Sequence, residues 1–210
     1  MQLIENGDRV LFYGDSITDA DRIREVPEDL GGGYPRDVKA LFESLFPQLR
    51  VSWLNRGISG NRACDLLRRY DEDVRALAPD VISILIGIND TWRRYDSNDP
   101  TSTEVFRENY EMLLRQIKKD MPRTKIVLIQ PFVLHSSSDR IAWHEDLDPK
   151  VEAIAELAKQ YADGYLRLGA LYDGLISETY SVIQLAEDGV HPTALGHKLI
   201  AKAWVELVMG

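Results

Sequence analysis

Short apolar runs alternate along the chain with longer segments whose apolar residues recur at helical spacing. The runs are rich in β-branched and aromatic residues and carry few polar side chains. Near-continuous runs of this kind are typical of parallel β-strands that are covered on both faces. We therefore predict five strands, the last of them the weakest, at residues 10–13, 51–54, 81–86, 126–129 and 165–168.

Five other segments predict amphipathic helices. Apolar stripes mark three of them, within residues 38–46, 66–77 and 105–117. A fourth helix is predicted to begin at Asp148 and Pro149, since an aspartate cap followed by proline is a common helix start, and a fifth follows Pro192. The regular alternation indicates one α/β domain over residues 1–210, a three-layer α/β/α sandwich around a mostly parallel sheet of about five strands.

Charge and cysteine content narrow the classes of protein to which the chain can belong. Its 34 acidic and 25 basic residues give a net charge of −9, which disfavours binding to nucleic acid or to anionic lipid. The single cysteine, Cys64, excludes an internal disulfide and a four-cysteine zinc site. No apolar run reaches the roughly 20 residues of a membrane span, and the first residues lack the pattern of a secretory leader. We expect a cytoplasmic protein without a nucleic-acid or membrane partner.

Polar, glycine-containing segments follow the first three predicted strands, and a fourth lies near the C-terminus. They are Gly-Asp-Ser-Ile-Thr at 14–18, Asn-Arg-Gly-Ile-Ser-Gly-Asn at 55–61, Gly-Ile-Asn-Asp at 87–90 and Asp-Gly-Val-His-Pro at 188–192. Taken singly, each is compatible with an ordinary turn or helix cap. Ligand sites of open α/β sheets lie beyond the carboxyl ends of the strands, so the four segments together predict a functional site there.

The side chains in these segments can supply nucleophilic catalysis. Ser16 would begin a helix directly after a strand, with its hydroxyl and its own unpaired backbone N–H facing the same space. Asn89 offers an amide donor toward the same rim. Asp188 stands three residues before His191, so its carboxylate can hold the imidazole ring and stabilise the imidazolium that forms on proton transfer.

The four segments together resemble those of the SGNH hydrolases, also called the GDSL esterase and lipase family. The serine, glycine, asparagine and histidine of the family's four blocks match Ser16, Gly60, Asn89 and His191. The resemblance extends from Phe12 to Leu199, with the conservative change that isoleucine replaces the family's leucine at position 17. Within the family, residues 55–61 and 87–96 are similar to segments of the bacterial intracellular acetylxylan esterases.

The resemblance implies a flavodoxin-like fold and a serine esterase mechanism. Ser16 would attack the ester carbonyl, His191 would take its proton and return it to the departing alcohol, and Asp188 would orient the histidine. The oxyanion would be held by the backbone N–H groups of Ser16 and Gly60 and by the side-chain amide of Asn89. The resemblance implies no metal ion and no cofactor.

The expected substrate is a small ester, with acetyl removed from a carbohydrate such as a xylo-oligosaccharide. Trp92 either stacks on a sugar ring or packs against neighbouring loops or a partner subunit, and both interpretations stay open here. The alternative is a broad-specificity esterase, or a lysophospholipase or thioesterase of the same family. The similarity to acetylxylan esterases also leads us to expect a homo-oligomer.

Other functions fit the sequence less well. The Gly-x-Ser-x-Gly elbow of α/β-hydrolases and the glycine-rich nucleotide-binding motifs are absent. The glycine run at 31–33 follows no strand, and we expect it to let a loop fold over the rim near Ser16. No metal-ligand spacing is present among the four histidines, His135, His144, His191 and His197. A non-catalytic binding protein on this fold would be expected to lose Ser16, Asn89 or His191 first.

Two further residues and one polar segment are assigned roles outside the catalytic set. His197 is the rival of His191 as the base, but it lies inside the last predicted helix, whereas His191 precedes that helix beside a carboxylate. Asp15, next to the nucleophile, is expected to support the turn rather than act as a catalytic acid, because Asp188 already accompanies the base. The polar segment 144–146 is expected to be a solvated surface loop.

Overall fold

Five parallel strands form a sheet at the centre of the molecule. A computed structural model of the chain describes residues 2–210. In chain order the strands are β1 (Arg9–Gly14), β2 (Ser52–Gly57), β3 (Val81–Leu85), β4 (Lys125–Ile129) and β5 (Gly164–Leu166). They pair in parallel in the order β2-β1-β3-β4-β5. The predicted α/β class and parallel five-stranded sheet are confirmed.

Helices connect the strands and cover the sheet. They are α1 (Ser16–Asp19), α2 (Tyr34–Leu45), α3 (Ala63–Arg68), α4 (Ile88–Asp96), α5 (Thr103–Asp120), α6 (Ser138–Ala142), α7 (His144–Tyr161), α8 (Leu168–Glu178), α9 (Val182–Leu185) and α10 (Ala194–Met209), with a π-helical turn at Asp71–Arg75. Among residues 2–210, no helix combines the length and the apolar character that a membrane crossing requires.

Both faces of the sheet are buried, as the residues of β1 illustrate. Val10 and Phe12 belong to a core formed with α2 and α10, whereas Leu11 and Tyr13 belong to a second core formed with α3, α5 and α7. Successive side chains of a strand point to opposite faces, so a strand covered on both sides is apolar throughout. This arrangement explains the continuous apolar runs and confirms the three-layer sandwich.

The order of the strands determines where a site can form. The chain passes from β1 outward to β2 at the edge of the sheet and then returns to β3 on the other side of β1. A crevice opens at the carboxyl ends of the strands where the strand order reverses in this way. The segments that follow β1, β2 and β3 are therefore neighbours at one edge of the sheet.

The helix predicted to begin at Asp148 begins one turn earlier, at His144, so Pro149 lies inside α7. The buried Lys150 holds this first turn, because its Nζ donates to the carbonyl oxygen of Asp146 at 3.3 Å and forms an ion pair with the carboxylate of the same residue. That pairing offsets the one backbone hydrogen bond that the proline removes. The expected solvated loop from His144 onward is thus a helical turn, in which the Asp146 carboxylate is largely buried.

The fifth strand is shorter than predicted. It ends at Leu166, and Leu168 already begins α8, because only three residues at this sheet edge pair with β4. Neither α8 nor α9 was predicted. Gly169 and Gly174 lie within α8, and glycine weakens a helical signal by about 1 kcal/mol relative to alanine.

The Gly57→Ala variant is expected to unfold more easily than the wild type by about 1–3 kcal/mol. Gly57 ends β2, where an added Cβ would overlap the backbone of Thr18 and Asp19 next to the candidate nucleophile. The Gly174→Ala variant is the control, since no atom lies within 4 Å of its added Cβ. Urea unfolding measures both, and equal stability of the two variants would contradict the close packing at Gly57.

Candidate active site

Ser16 lies where β1 passes into α1. Gly14 ends the strand at a point where a Cβ would collide with the carbonyl oxygen of Leu85, so only glycine fits between β1 and β3 there. Asp15 caps the helix, with Oδ1 accepting the backbone N–H of Ile17 at 3.0 Å. Ser16 is then the first residue of α1, and it lines an open cavity.

The side chain of Asp15 stabilises the turn after β1 and does not line the cavity. Its side chain is fully buried, and this burial raises its pKa to about 7 against the opposing effects of the Ile17 hydrogen bond and the nearby His191. Its second oxygen, Oδ2, has no hydrogen-bond partner within residues 2–210. The single side-chain bond of Asp15 therefore goes to the backbone of α1, which is the role expected from the sequence.

A tight turn at residues 188–191 presents the candidate base. Asp188 Oδ1 accepts the backbone N–H groups of Val190 at 2.9 Å and His191 at 2.7 Å. The other oxygen, Oδ2, lies 2.7 Å from Nδ1 of the His191 ring. Gly189 has a φ of +83°, a conformation that favours glycine. Three hydrogen bonds within one turn thus fix the carboxylate against the ring.

The same ring reaches the candidate nucleophile. Ser16 Oγ lies 3.0 Å from His191 Nε2. Because the carboxylate of Asp188 can only accept, the neutral ring carries its proton on Nδ1 and leaves Nε2 free to accept the hydroxyl proton. The structure therefore brings Ser16, His191 and Asp188 together in one chain of hydrogen bonds.

The charges of the Asp188 carboxylate and the protonated His191 ring stabilise each other. The hydrogen bond to Asp188 raises the pKa of His191, and this effect exceeds the lowering caused by burial. Burial alone would raise the pKa of Asp188, but the hydrogen bonds from the His191 ring and from the turn backbone hold that pKa well below its usual value. Asp188 is therefore a carboxylate at any pH at which His191 titrates.

Three N–H donors surround the same cavity. Asn89 lies in the first turn of α4 and donates one of its two amide hydrogens to the carbonyl oxygen of Asn61 at 3.0 Å, which leaves the other available. Gly60 has a φ of +83°, and it lies in the loop after β2. Neither the backbone N–H of Gly60 nor that of Ser16 has a hydrogen-bond partner among residues 2–210.

The cavity has a volume of about 580 Å³ and opens to solvent. Its wall includes Ser16, Gly60, Asn89 and His191. Trp92 also lines it, with its ring centre 5.7 Å from that of His191. Gly32 lines it as well, so the glycine run does fold over the rim near the serine. Five of the six predicted site residues thus line one opening, and the sixth, Asp188, contacts the ring of His191.

Comparison with known protein families identifies the family to which the chain belongs. The model of the GDSL-like lipase/acylhydrolase family matches residues 12–199, which include every site residue described above. The chain belongs to this family. Because the family consists of lipases and acylhydrolases and the relatives include an esterase, the protein is a carboxylic ester hydrolase.

Similar proteins from the GDSL family match almost the whole length of this chain. The acetylxylan esterase of Geobacillus stearothermophilus is 35% identical over 208 residues, which are 96% of this chain and 94% of the relative. Its crystal structure has a TM-score of 0.88 at 31% identity, over 98% and 95% of the two chains. A GDSL-like protein from Parabacteroides merdae has a TM-score of 0.92 at 30% identity, over 99% of each chain. A serine variant and a histidine variant of the Geobacillus enzyme are catalytic mutants.

The other histidines of this GDSL protein have different surroundings. His197 on α10 lines the cavity, but its Nδ1 accepts the backbone N–H of Tyr34 at 3.1 Å, and burial lowers its pKa to about 4. Hence His191, and not His197, contacts the serine. His135 and His144 contact each other through their Nε2 atoms at 3.1 Å. Among residues 2–210, no group of three or more His, Cys, Asp or Glu side chains is arranged to hold a metal ion.

Two carboxylates that hold the GDSL site loops were missed by sequence reasoning. Asp19 Oδ2 accepts the backbone N–H of Ser59 at 3.0 Å and its hydroxyl at 3.1 Å, and it pairs with Arg24 at 2.7 Å. Asp90 Oδ2 accepts the backbone N–H of Ala63 at 3.1 Å. The only available signal was position, since Asp19 directly follows the first family block and Asp90 ends the third, and an acid in such a place is usually a turn residue.

We expect kcat/KM to fall as the pH decreases, with a midpoint above about 6.5, the unperturbed value for histidine. Only the neutral ring of His191 can accept a proton, and Asp188 raises the pKa of that ring. The Asp188→Ala variant should therefore show a lower midpoint together with a lower rate. Rates for p-nitrophenyl acetate between about pH 5 and 8 give both values, and a flat wild-type profile would contradict the assignment of the base.

Proposed function

We propose that this GDSL protein is a serine esterase that removes acetyl groups from carbohydrates such as xylo-oligosaccharides. The observation that carries the proposal is the chain of hydrogen bonds from Ser16 Oγ through His191 to Asp188, at a cavity that also contains unpaired donors. In support, a serine variant and a histidine variant of the Geobacillus acetylxylan esterase are catalytic mutants.

The acylation step begins with the transfer of the Ser16 hydroxyl proton to His191 Nε2 as Oγ attacks the ester carbonyl. Asp188 stabilises the imidazolium that results. When the tetrahedral intermediate collapses, the carbon–oxygen bond to the alcohol breaks and His191 gives its proton to the departing oxygen. The acyl group is then bound to Ser16 as an ester.

The deacylation step repeats this chemistry with water. His191, neutral again, takes a proton from a water molecule, whose oxygen attacks the acyl carbon. Collapse of the second tetrahedral intermediate releases the carboxylic acid and returns the proton to Ser16 Oγ. An open cavity of about 580 Å³ gives water access to the ester once the alcohol has left.

Both intermediates carry an oxyanion, and we assign its stabilisation to three neutral donors. These are the backbone N–H groups of Ser16 and Gly60 and the free amide hydrogen of Asn89. Donors that are fixed before the reaction need no reorganisation as the charge develops. Neutral donors also avoid a second proton source beside His191.

The charged and aromatic residues that line the cavity support a sugar as the leaving group. Asp21, Arg93 and Asp96 line this cavity together with the catalytic candidates, and carboxylates and guanidinium groups can hydrogen-bond to several hydroxyls at once. Trp92 supplies an apolar surface beside His191. One side of its ring is covered by the guanidinium of Arg140, 4.8 Å from the ring centre, so we assign only the cavity-facing part of Trp92 to the sugar.

A substrate panel tests this assignment. We expect kcat/KM to be highest for acetylated xylosides and to fall as the acyl chain of otherwise matched esters grows. Ser16→Ala serves as the control for background hydrolysis in every assay. A clear preference for long-chain acyl-thioesters or lysophospholipids would overturn the sugar assignment and favour the alternative substrate class. Binding of acetylated xylosides without any turnover would instead indicate a non-catalytic binding protein.

A further inference from the structure

The segment between β4 and α7 packs against the turn that carries the catalytic pair. The backbone N–H of Leu134 donates to the carbonyl oxygen of Gly189 at 2.7 Å. A Cβ added to Gly189 would lie 2.6 Å from both the carbonyl oxygen of Leu134 and the hydroxyl of Ser136, and 3.3 Å from Cγ of Arg140. Only glycine fits this contact, so the segment sets the place of the turn.

Arg140, on α6, makes the most specific contact in this segment. Its Nε donates to the carbonyl oxygen of Asp188 at 2.9 Å. Its guanidinium lies 3.9 Å from the ring centre of the buried Trp143 and 4.8 Å from that of Trp92. Arginine over aromatic rings at such distances is attracted by their π-systems. Two tryptophans therefore hold the guanidinium in the orientation that bonds to Asp188.

We propose that Arg140 is a positioning residue, which places the Asp188–His191 pair relative to Ser16 and sets a fixed positive charge near the histidine ring. This inference rests on the proposed function of that pair. Within the turn, the Asp188 carboxylate already binds His191 through its own hydrogen bonds. The contact from Arg140 is made to the backbone carbonyl instead, so its loss moves the pair as a unit and leaves the bond between the two residues intact.

The positive charge of Arg140 affects the pKa of His191, and this effect is separate from the placement of the Asp188–His191 pair. The charged and titratable groups around His191 are Asp188 in its own turn, Asp15 at the end of β1, His197 on α10 and Arg140 on α6, with Asp21, Arg93 and Asp96 on the wall of the same cavity. Asp188 and Asp15 raise the pKa of His191, and Arg140 lowers it. Removing the positive charge should therefore raise this pKa, whereas a shift in position alone should leave it unchanged.

Two substitutions separate the effects of position and charge. Arg140→Met removes the donor and the charge, and we expect kcat for p-nitrophenyl acetate to fall by about 10–100-fold, the cost of a small misplacement of reacting groups. The acid limb of its kcat/KM profile should move to higher pH. Arg140→Lys keeps the charge but loses the planar donor, so kcat should fall while the acid limb stays in place.

The control is Arg107→Met, a partly exposed residue of α5 that pairs with Glu156, and it should leave both kcat and the pH profile unchanged. An Arg140→Met variant with kcat within about twofold of wild type, or with an acid limb that stays or moves to lower pH, would overturn the inference. If Arg140→Met does not fold, the Arg140→Lys variant provides the test. An unchanged kcat in Arg140→Lys would overturn the positioning role of Arg140. Failure of the proposed function differs from all of these, because it would leave Ser16→Ala as active as wild type.

Discussion

The Ser16→Ala variant is expected to lower kcat for acetyl esters by about 10⁴–10⁶-fold, the range found when a member of a serine–histidine–aspartate set is removed. Without Oγ no acyl-enzyme can form, and the remaining activity can come only from water acting in the cavity. His191→Ala should cause a loss of similar size, since the hydroxyl then has no base at 3.0 Å. The two losses should not add in the double variant, because both residues act in one step.

The control for this prediction is a second serine that lines the same cavity. Ser59 donates its hydroxyl to Asp19 at 3.1 Å and does not contact His191. Ser59→Ala should therefore retain far more activity than Ser16→Ala. Thermal unfolding should show that Ser16→Ala remains folded. A kcat for folded Ser16→Ala close to that of the wild type would exclude Ser16 as the nucleophile.

The Asn89→Ala variant is expected to lower kcat by about 10²–10³-fold, the usual effect of removing one donor from an oxyanion hole. Two donors, the backbone N–H groups of Ser16 and Gly60, remain in place, so the loss should be smaller than that of the nucleophile. KM should change little, because the donor acts on charge that develops in the transition state. Steady-state kinetics with p-nitrophenyl acetate separates the two parameters.

The stability of the Asn89→Ala variant must be measured together with its kcat, because Asn89 also has a structural contact. Its amide donates to the carbonyl oxygen of Asn61, and losing one such bond costs about 1 kcal/mol. Asn109→Ala, at a partly exposed position of α5 where the amide donates to the carbonyl oxygen of Val105, is the matched control for an asparagine with a backbone contact outside the site. A tenfold rise in KM with an unchanged kcat would assign Asn89 to substrate binding instead.

The sheet and the meeting of the site segments could be predicted because both follow from short patterns. Continuous apolar runs require strands covered on both faces, and parallel strands bring the segments that follow them to one edge. For this reason Ser16, Gly60 and Asn89 could be assigned to one site before any coordinates, whereas His191, 175 residues from Ser16, joined them through the resemblance of residues 188–192 to the fourth block of the family.

The errors in the fold occurred where one particular contact, or the lack of one, outweighs the sequence pattern that suggested the boundary of an element. Pro149 indicated a helix start, but the buried ion pair between Lys150 and Asp146 extends α7 by a turn. Likewise, Leu168 continues an apolar run along the chain, yet it begins α8 because no partner strand residue is available there. Neither contact leaves a periodic signal in the sequence.

The residues that support the site were harder to predict than the residues that form it. Asp19 holds the loop of Ser59, and Arg140 holds the carbonyl of Asp188 from 48 residues away in the chain. Each acts on a backbone group, and any backbone group accepts or donates in the same way. Such contacts depend on how segments pack, which short motifs do not encode.

The proposed reaction requires that Ser16 forms a covalent bond to the acyl group with His191 as its base. Reaction of the protein with a p-nitrophenyl phosphonate, followed by peptide mass spectrometry, tests it most directly, since the serine displaces p-nitrophenolate and remains phosphonylated. We expect one adduct, on Ser16, with activity lost in proportion to labelling and with almost no labelling in His191→Ala. Labelling of a different residue in step with inactivation, or full activity after Ser16 is labelled, would contradict it.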